Sequence, residues 1–277
     1  MKISGWKYYN HAAIPDIPPY DDADTSAVES GEIWTLDGSP LLARWTTNFD
    51  KIQDGEWWFV IKDTPFDISA LRSKRRYEIN KGIKNFEVKL IDPKKYKEEL
   101  FNIQVEAFSA YPEKYRPTVI KDEFFATIDS WSSHLVFGAF FRENGLLAGY
   151  SLLTKPRDRY VDFSVQKTIP AYERYALNAA LCEGMLSYFD AFLANGGIIV
   201  DGARNINHET GFQDYLEKNF GFRKAYCKLH LAYKPKMKLI VKLLYPFRKL
   251  LLKFDGNGKI HTVNSVLKME SIARSYK

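Results

Sequence analysis

Between residues 86 and 235 the chain alternates short β-prone runs with helix-length stretches, and that order leaves few folds open. "FEVKLI" has the alternation of a strand. "PKKYKEELFNIQVEAFSAY" follows as a helix with Pro93 near its first turn, where a missing N–H is tolerated. "VIKDEFFATIDSW" is a second helix. "LVFGAFFRENGLLAGYSLLTK" divides at "ENG" into the two strands of a hairpin, and "RYVDFSVQ" adds another strand. A long helix is expected from about Tyr172 to Leu193, closed by Asn195, Gly196 and Gly197. "IIVDGA" is a buried strand by its β-branched run, "ETGFQDYLEKNF" a helix ended by Gly221, and "RKAYCKLHLAYK" a final strand. The order β-α-α-β-β-β-α-β-α-β predicts an α+β fold: a mixed, mostly antiparallel sheet with helices on both faces.

The preceding residues are different in character. Residues 10 to 31 are rich in Pro, Asp, Ala and Ser, and prolines 15, 18 and 19 predict an irregular segment. "EIWTLDGSPLLARWTT" places two β-prone runs around "DGSP" and predicts a hairpin. "EWWFVIKD" is a third strand, and Ser69 opens a basic helix that stops near Gly82 or Asn85. Three regions follow: a β-rich extension over 1–70, a main domain over 71–235, and a basic tail over 236–277.

Composition sets outer limits. The chain is 45% hydrophobic and 15% aromatic, enough for a folded core. A net charge of +6 favours acidic partners mildly and falls short of a dedicated nucleic-acid binder. Cys182 and Cys227 lack a CxxC or His-rich setting, so neither a disulfide framework nor a metal site is expected. The first twenty residues carry no apolar run of signal-peptide type, and no stretch approaches the roughly 18 apolar residues of a membrane span. A cytoplasmic protein, soluble or peripheral to the inner face of the membrane, is the expectation.

The stretch "IPAYERYALNAAL" gives the order of elements a more specific meaning. It resembles the donor loop of the acyl-CoA N-acyltransferases, the GNAT superfamily, which commonly runs V-x-P-x-Y-R-x-x-G-x-G-x-x-L. Pro170, Tyr172 and Leu181 take the Pro, Tyr and Leu places; Glu173 stands at the Arg place, and Ala176 and Asn178 at the two Gly places. "NFGFRKAY" is similar to the family's closing Gly-Phe, at Gly221 and Phe222. The resemblance implies a GNAT-like fold, with Tyr172, Glu173, Ala176 and Asn178 at the donor cofactor. In that family backbone N–H groups at a helix start meet the coenzyme A pyrophosphate, and glycine permits the approach. Glu173 adds a negative charge there, which sets an aminoacyl-tRNA beside acyl-CoA as alternative donor.

A second resemblance concerns the basic helix. "ISALRSKRRYEINKGIKNFEV" is similar to a segment of the Fem-type peptidyltransferase branch, L-x-K-x-x-R-x-x-I-x-K-A-x-K-x-G-V-x-V, with Leu71, Lys74, Arg75, Ile79, Lys81 and Lys84 at or near its places. That branch moves amino acids from aminoacyl-tRNA to peptidoglycan precursors and includes relatives in polysaccharide loci. The resemblance, over about residues 56 to 235, implies transfer of an acyl or aminoacyl group to an amine of an envelope-related precursor, a small or lipid-linked acceptor. Arg72, Lys74, Arg75 and Arg76 could hold an anionic substrate or tRNA, or form a solvated face. The first 70 residues are too short for the complete second half of the Fem ligases.

Acyl transfer to an amine needs a base, an oxyanion donor and an acid for the leaving group. Asp201 follows a buried apolar run and is either a general base or a carboxylate bonding the next loop. Arg204 could hold substrate or pair with Asp201. His208 is a base or a surface histidine; Tyr215 is an acid or a core ring; Asp162 points to the site or to water. Two rival readings remain: a GNAT-fold protein that binds without catalysis, and a membrane-surface module. The latter rests on "KPKMKLIVKLLYPFRKLLLKF", where Lys238, Lys242, Lys249 and Lys253 fall within roughly 60° on a helix, amid apolar residues. Pro246 breaks that helix into two. The partner is then an anionic membrane surface; the alternative is a helix covering the sheet. Oligomeric state is left open.

Overall fold

A computed structural model of the chain describes residues 1–111, 113, 116–206 and 211–276. These form two compact units: one of Met1–Phe59, Ala203–Gly211 and Lys224–Lys277, the other of Val60–Gly202 and Phe212–Arg223.

In the first unit, strands β1 (Trp6–Tyr9) and β2 (Ala12–Pro15) form an antiparallel hairpin inside the stretch that the prolines marked as irregular. Pro15 is tolerated because it is the last residue of its strand. A short helix α1 (Ser26–Glu29) follows. The hairpin expected at "DGSP" does not form. Glu32–Thr35 is a 3₁₀ turn instead, and it buries Ile33 and Leu36 against Trp6, Ala13, Ala27 and Ala43. That three-residue spacing suits a tight helical turn and would send the two side chains to opposite faces of a strand. Strand β3 (Leu42–Thr47) then enters the sheet.

Strand β4 (Trp58–Lys62) leads to helix α2 (Ser73–Asn85), the basic helix, which ends where the sequence indicated. Then come β5 (Phe86–Leu90), α3 (Lys97–Ser109), α4 (Lys121–Asp129), β6 (His134–Phe141), β7 (Leu147–Thr154) and β8 (Tyr160–Thr168), all close to their expected places. The helix expected from Tyr172 starts later. Pro170–Tyr175 is a 3₁₀ turn, Ala176 takes the left-handed conformation (φ 65°), and α5 runs Leu177–Tyr188 before a break and α6 (Asp190–Ala194). Strand β9 (Ile198–Ala203) and helix α7 (Phe212–Phe220) complete the series, α7 ending at Gly221 with φ 66°.

The run read as one final strand is two. β10 (Arg223–Tyr226) and β11 (Lys228–Tyr233) part at the fully buried Cys227 and enter different sheets. The alternation of side chains continues through the break, so sequence periodicity carried no sign of it. β11 pairs with β3 from Lys228↔Thr47 to Tyr233↔Leu42. The four-stranded sheet is ordered β1-β2-β3-β11, and the seven-stranded sheet β10-β4-β9-β8-β7-β6-β5. The units therefore do not follow the boundaries at 70/71 and 235/236, because residues before 71 and up to 233 supply strands to both sheets.

The seven-stranded sheet is covered on both faces, as an α+β layer requires. Val136, Leu147, Tyr150 and Leu152 meet Leu100, Ile103 and Ile128 from α3 and α4; Ala139, Phe141 and Ala148 meet Leu177, Ala180 and Leu181 from α5. The tail forms α8 (Pro235–Leu244), a 3₁₀ turn at Tyr245–Phe247, α9 (Arg248–Leu251) and α10 (Gly258–Arg274). Pro246 separates α8 from α9 as its missing N–H dictates.

Candidate functional site

The backbone opens at one place in the second unit. β8 and β9 run parallel over Tyr160↔Ile198, Val161↔Ile199 and Asp162↔Val200, and there the pairing ends. β8 continues to Thr168 on its other neighbour, β7, while β9 continues to Ala203. Asp201 is the first β9 residue past the last pair. The strands part there, so the Asp201 backbone has no ladder partner on β8.

Burial pushes the Asp201 carboxyl up to about 8, against a hydrogen bond from Gln213, and the Asp162 charge adds to the rise. A carboxyl so placed exchanges protons near physiological pH. Asp162 is the better satisfied of the two: it accepts from Ser164 Oγ at 2.6 Å and Tyr160 OH at 3.3 Å, and its N–H donates to Thr154 Oγ1. Tyr215 stacks on Phe212 and tilts against Phe220, which makes it a packed ring. Its hydroxyl is held protonated by burial first, then by Cys182, Glu78 and Glu173. Cys182, fully buried on α5, feels both Asp201 and Glu173, and burial keeps it a thiol. Asp201 and Glu173 both act on Cys182 through their charges, and Cys182 and Glu173 act on Tyr215.

The turn between β8 and α5 carries its own anion. Glu173 Oε2 accepts from Asn178 Nδ2 at 2.7 Å. Its other oxygen, Oε1, is buried without a partner, and burial raises the group above the usual carboxylate range. Asn178 Oδ1 accepts from Gln166 Nε2, and Gln166 Oε1 accepts from Ser151 Oγ, so a polar chain runs under the turn. Tyr172 packs on Phe86 and Phe141. Helix α2 covers the same end of α5: a Cβ on Gly82 would lie 2.7 Å from the Ala176 carbonyl and 2.9 Å from the Ala180 nitrogen.

These residues do not fit a coenzyme A diphosphate. The Glu173 carboxylate is bonded to the Asn178 side chain at the start of α5, α2 lies against the turn, and Leu177, Ala179 and Ala180 are buried. Among the described residues no cluster of ligating side chains could hold a metal ion.

The other sequence candidates divide. Arg72, Lys74 and Arg76 are exposed on α2, and Arg75 pairs with Glu78 at 3.2 Å. Arg204 pairs with Glu56 at 2.9 Å and lies over the Trp58 ring, which answers the expected pairing with Asp201 in the negative. His208 lies outside the described residues. Lys238, Lys242, Lys249 and Lys253 are all exposed. Gln166, Gln213 and Cys182 were missed in the sequence. They sit on three different elements with no common spacing, and only the fold gathers them. A cleft of about 430 Å³ lined by Tyr96, Glu99, Phe140, Leu146 and Ile169 lies elsewhere on this unit and includes neither Asp201 nor Tyr215.

No family model matches the sequence, and no curated protein matches it. Among solved structures, L-PGS from Bacillus licheniformis is similar at 9% identity, over 86% of this chain and 83% of that one, with a TM-score of 0.49. A C-terminal domain assigned to a lysylphosphatidylglycerol synthetase of Agrobacterium fabrum gives 10% identity, 86% and 82% coverage and 0.48. A tandem GNAT protein from the clavulanic acid biosynthesis pathway gives 12%, 80% and 75%, and 0.42. The topology speaks for itself. Five strands stand side by side in chain order, β5 to β9, antiparallel until one parallel pair that parts midway, with a helix springing from the end of β8. That arrangement is the mixed, mostly antiparallel α+β sheet that the resemblance to the GNAT superfamily implied.

Proposed function

We propose that the chain is an aminoacyl- or N-acyltransferase of Fem-like type. Its acceptor is an amine on a cell-envelope or polysaccharide-related precursor, small or lipid-linked, met at the inner face of the membrane. The observation that carries this reading is Asp201: a carboxyl at the mouth of the β8–β9 opening, titrating near 8. In its ionised form it takes the proton from the attacking amine as the N–C bond forms. Tyr215, held protonated, gives its proton to the oxygen that leaves as the donor ester's C–O bond breaks. The aminoacyl ester of tRNA is favoured as donor, because Glu173 adds a carboxylate at the start of α5 and the α2 cations Arg72, Lys74 and Arg76 are exposed.

The test is a transfer assay of the full chain with radiolabelled aminoacyl-tRNA and, separately, radiolabelled acetyl-CoA, each with amine-bearing precursor lipids. Label moving from tRNA to the acceptor, lost in Asp201→Asn, supports the reading. Transfer from acetyl-CoA at an equal rate overturns the donor assignment. The Glu173–Asn178 bond at that turn also favours a second reading, a GNAT-fold binder without turnover, and absence of transfer from either donor selects it.

A further inference from the structure

Helix α8 is apolar on two faces. One face, Met237, Val241 and Leu244, packs with Ala12, Leu42, Val266 and Leu267 into the core of the first unit. The opposite face should then be polar, as on an ordinary surface helix. Instead Leu239 and Leu243 are exposed at 59% and 61%, and the row continues through Phe247, Leu250, Leu252 and Phe254, each more than half exposed. Isolated surface leucines need no explanation; six large apolar side chains within sixteen residues do.

The charges around them are all of one sign. From residue 234 to 254 the chain carries Lys234, Lys236, Lys238, Lys242, Arg248, Lys249 and Lys253, and no acid until Asp255. Beside α8 lies a groove of about 680 Å³ that adds to the same field. Lys228, Lys238, Lys242 and Arg274 line it with Trp45 and Tyr245, against the single carboxylate Glu270, which already accepts from Tyr233 OH and Arg274 Nε. A second copy of this face would bring seven cations against seven, so self-association is opposed by its own charge. A surface of dense phosphates over hydrocarbon complements both features.

We propose that residues 235–254 dock on an anionic phospholipid bilayer. The exposed leucines and phenylalanines enter the acyl layer, the lysines meet headgroup phosphates, and the groove beside α8 receives one headgroup. This deepens the membrane-face placement proposed above, but its test needs no turnover, so either reading can fail without the other.

The full chain is sedimented with phosphatidylcholine vesicles and with vesicles containing about one-third phosphatidylglycerol. Binding is expected to the anionic vesicles alone and to weaken with added salt. Leu243→Asp with Leu250→Asp, both exposed and therefore compatible with folding, should lower the partition coefficient at least about tenfold. Lys238→Glu with Lys242→Glu should do the same. Phe247→Trp gives a readout that leaves the cations intact: its emission shifts to the blue on anionic vesicles only. Equal binding to neutral vesicles, no binding to either, or a concentration-dependent dimer that Leu243→Asp abolishes would each overturn the proposal.

Discussion

Asn178 donates its side-chain amide to Glu173 at 2.7 Å, which ties the first turn of α5 to the turn that precedes it. A phosphate donor would have to displace a bonded, buried side chain. Free coenzyme A should therefore give no binding heat with the wild-type chain up to about 1 mM, an affinity worth roughly 4 kcal/mol. A measured Kd well below that value would mean the turn opens in solution.

The proton on Asp201 links stability to pH. In the unfolded chain this carboxyl ionises near 3.8, in the fold near 8. Between those values the folded chain holds a proton that the unfolded chain has lost, so the contribution present below pH 4 is lost as pH rises toward 8. The slope is at most about 1.4 kcal/mol per pH unit. Asp201→Asn should flatten that decline and be the more stable protein at pH 8 in urea melts, while transfer falls by about 10²–10⁴-fold.

Tyr215 separates packing from chemistry. Tyr215→Phe keeps the ring between Phe212 and Phe220 and removes only the hydroxyl. Thermal unfolding should move by no more than a few degrees, whereas turnover should drop by about 10²-fold or more. Unchanged turnover would assign the residue to the core alone.

Glycine weakens a helix interior, but at the N-cap position 176 it should strengthen the start of α5. Ala176 sits at φ 65°, where a Cβ costs about 1 kcal/mol or more. Ala176→Gly is expected to raise stability by up to about 1 kcal/mol, against the loss that glycine brings in ordinary helices. Chemical denaturation at two pH values measures it directly.

Gly82 allows no such freedom. A methyl there would press on backbone atoms of Ala176 and Ala180, which cannot rotate away as a side chain could. Gly82→Ala should destabilise the chain by about 1–3 kcal/mol and loosen α2 from the turn, seen as faster hydrogen exchange at Ala180, whose N–H donates to the Ala176 carbonyl.

Most strands and helices of the seven-stranded sheet were legible because local period and burial agree there: β6 alternates cleanly between two cores, and α3 and α4 each show one apolar face. The 3₁₀ turn at Glu32–Thr35 was misread because a strand and a tight turn share apolar residues and differ only in which ones face inward. Asp201 and Tyr215 stood out by type and position. Glu173 did too, but as an intruding charge; its bond to Asn178 five residues on depends on the left-handed Ala176, which composition does not encode. The Gln213 contact to Asp201 joins two elements that only tertiary folding unites.

The exchange of strands has a consequence for synthesis. β4 leaves the ribosome early yet lies between β9 and β10, and β3 waits at an open edge for β11. At about 5–20 residues per second, the interval until Tyr233 emerges is on the order of ten seconds. During it the nascent chain exposes unpaired strand edges, a ready template for wrong partners. A fragment of residues 71–235 would lack β4 from inside one sheet and carry β11 without the β3 edge it pairs with. Translation speed through the second half of the message thus sets how long the chain depends on chaperones, and slowing it should lower the yield of folded protein.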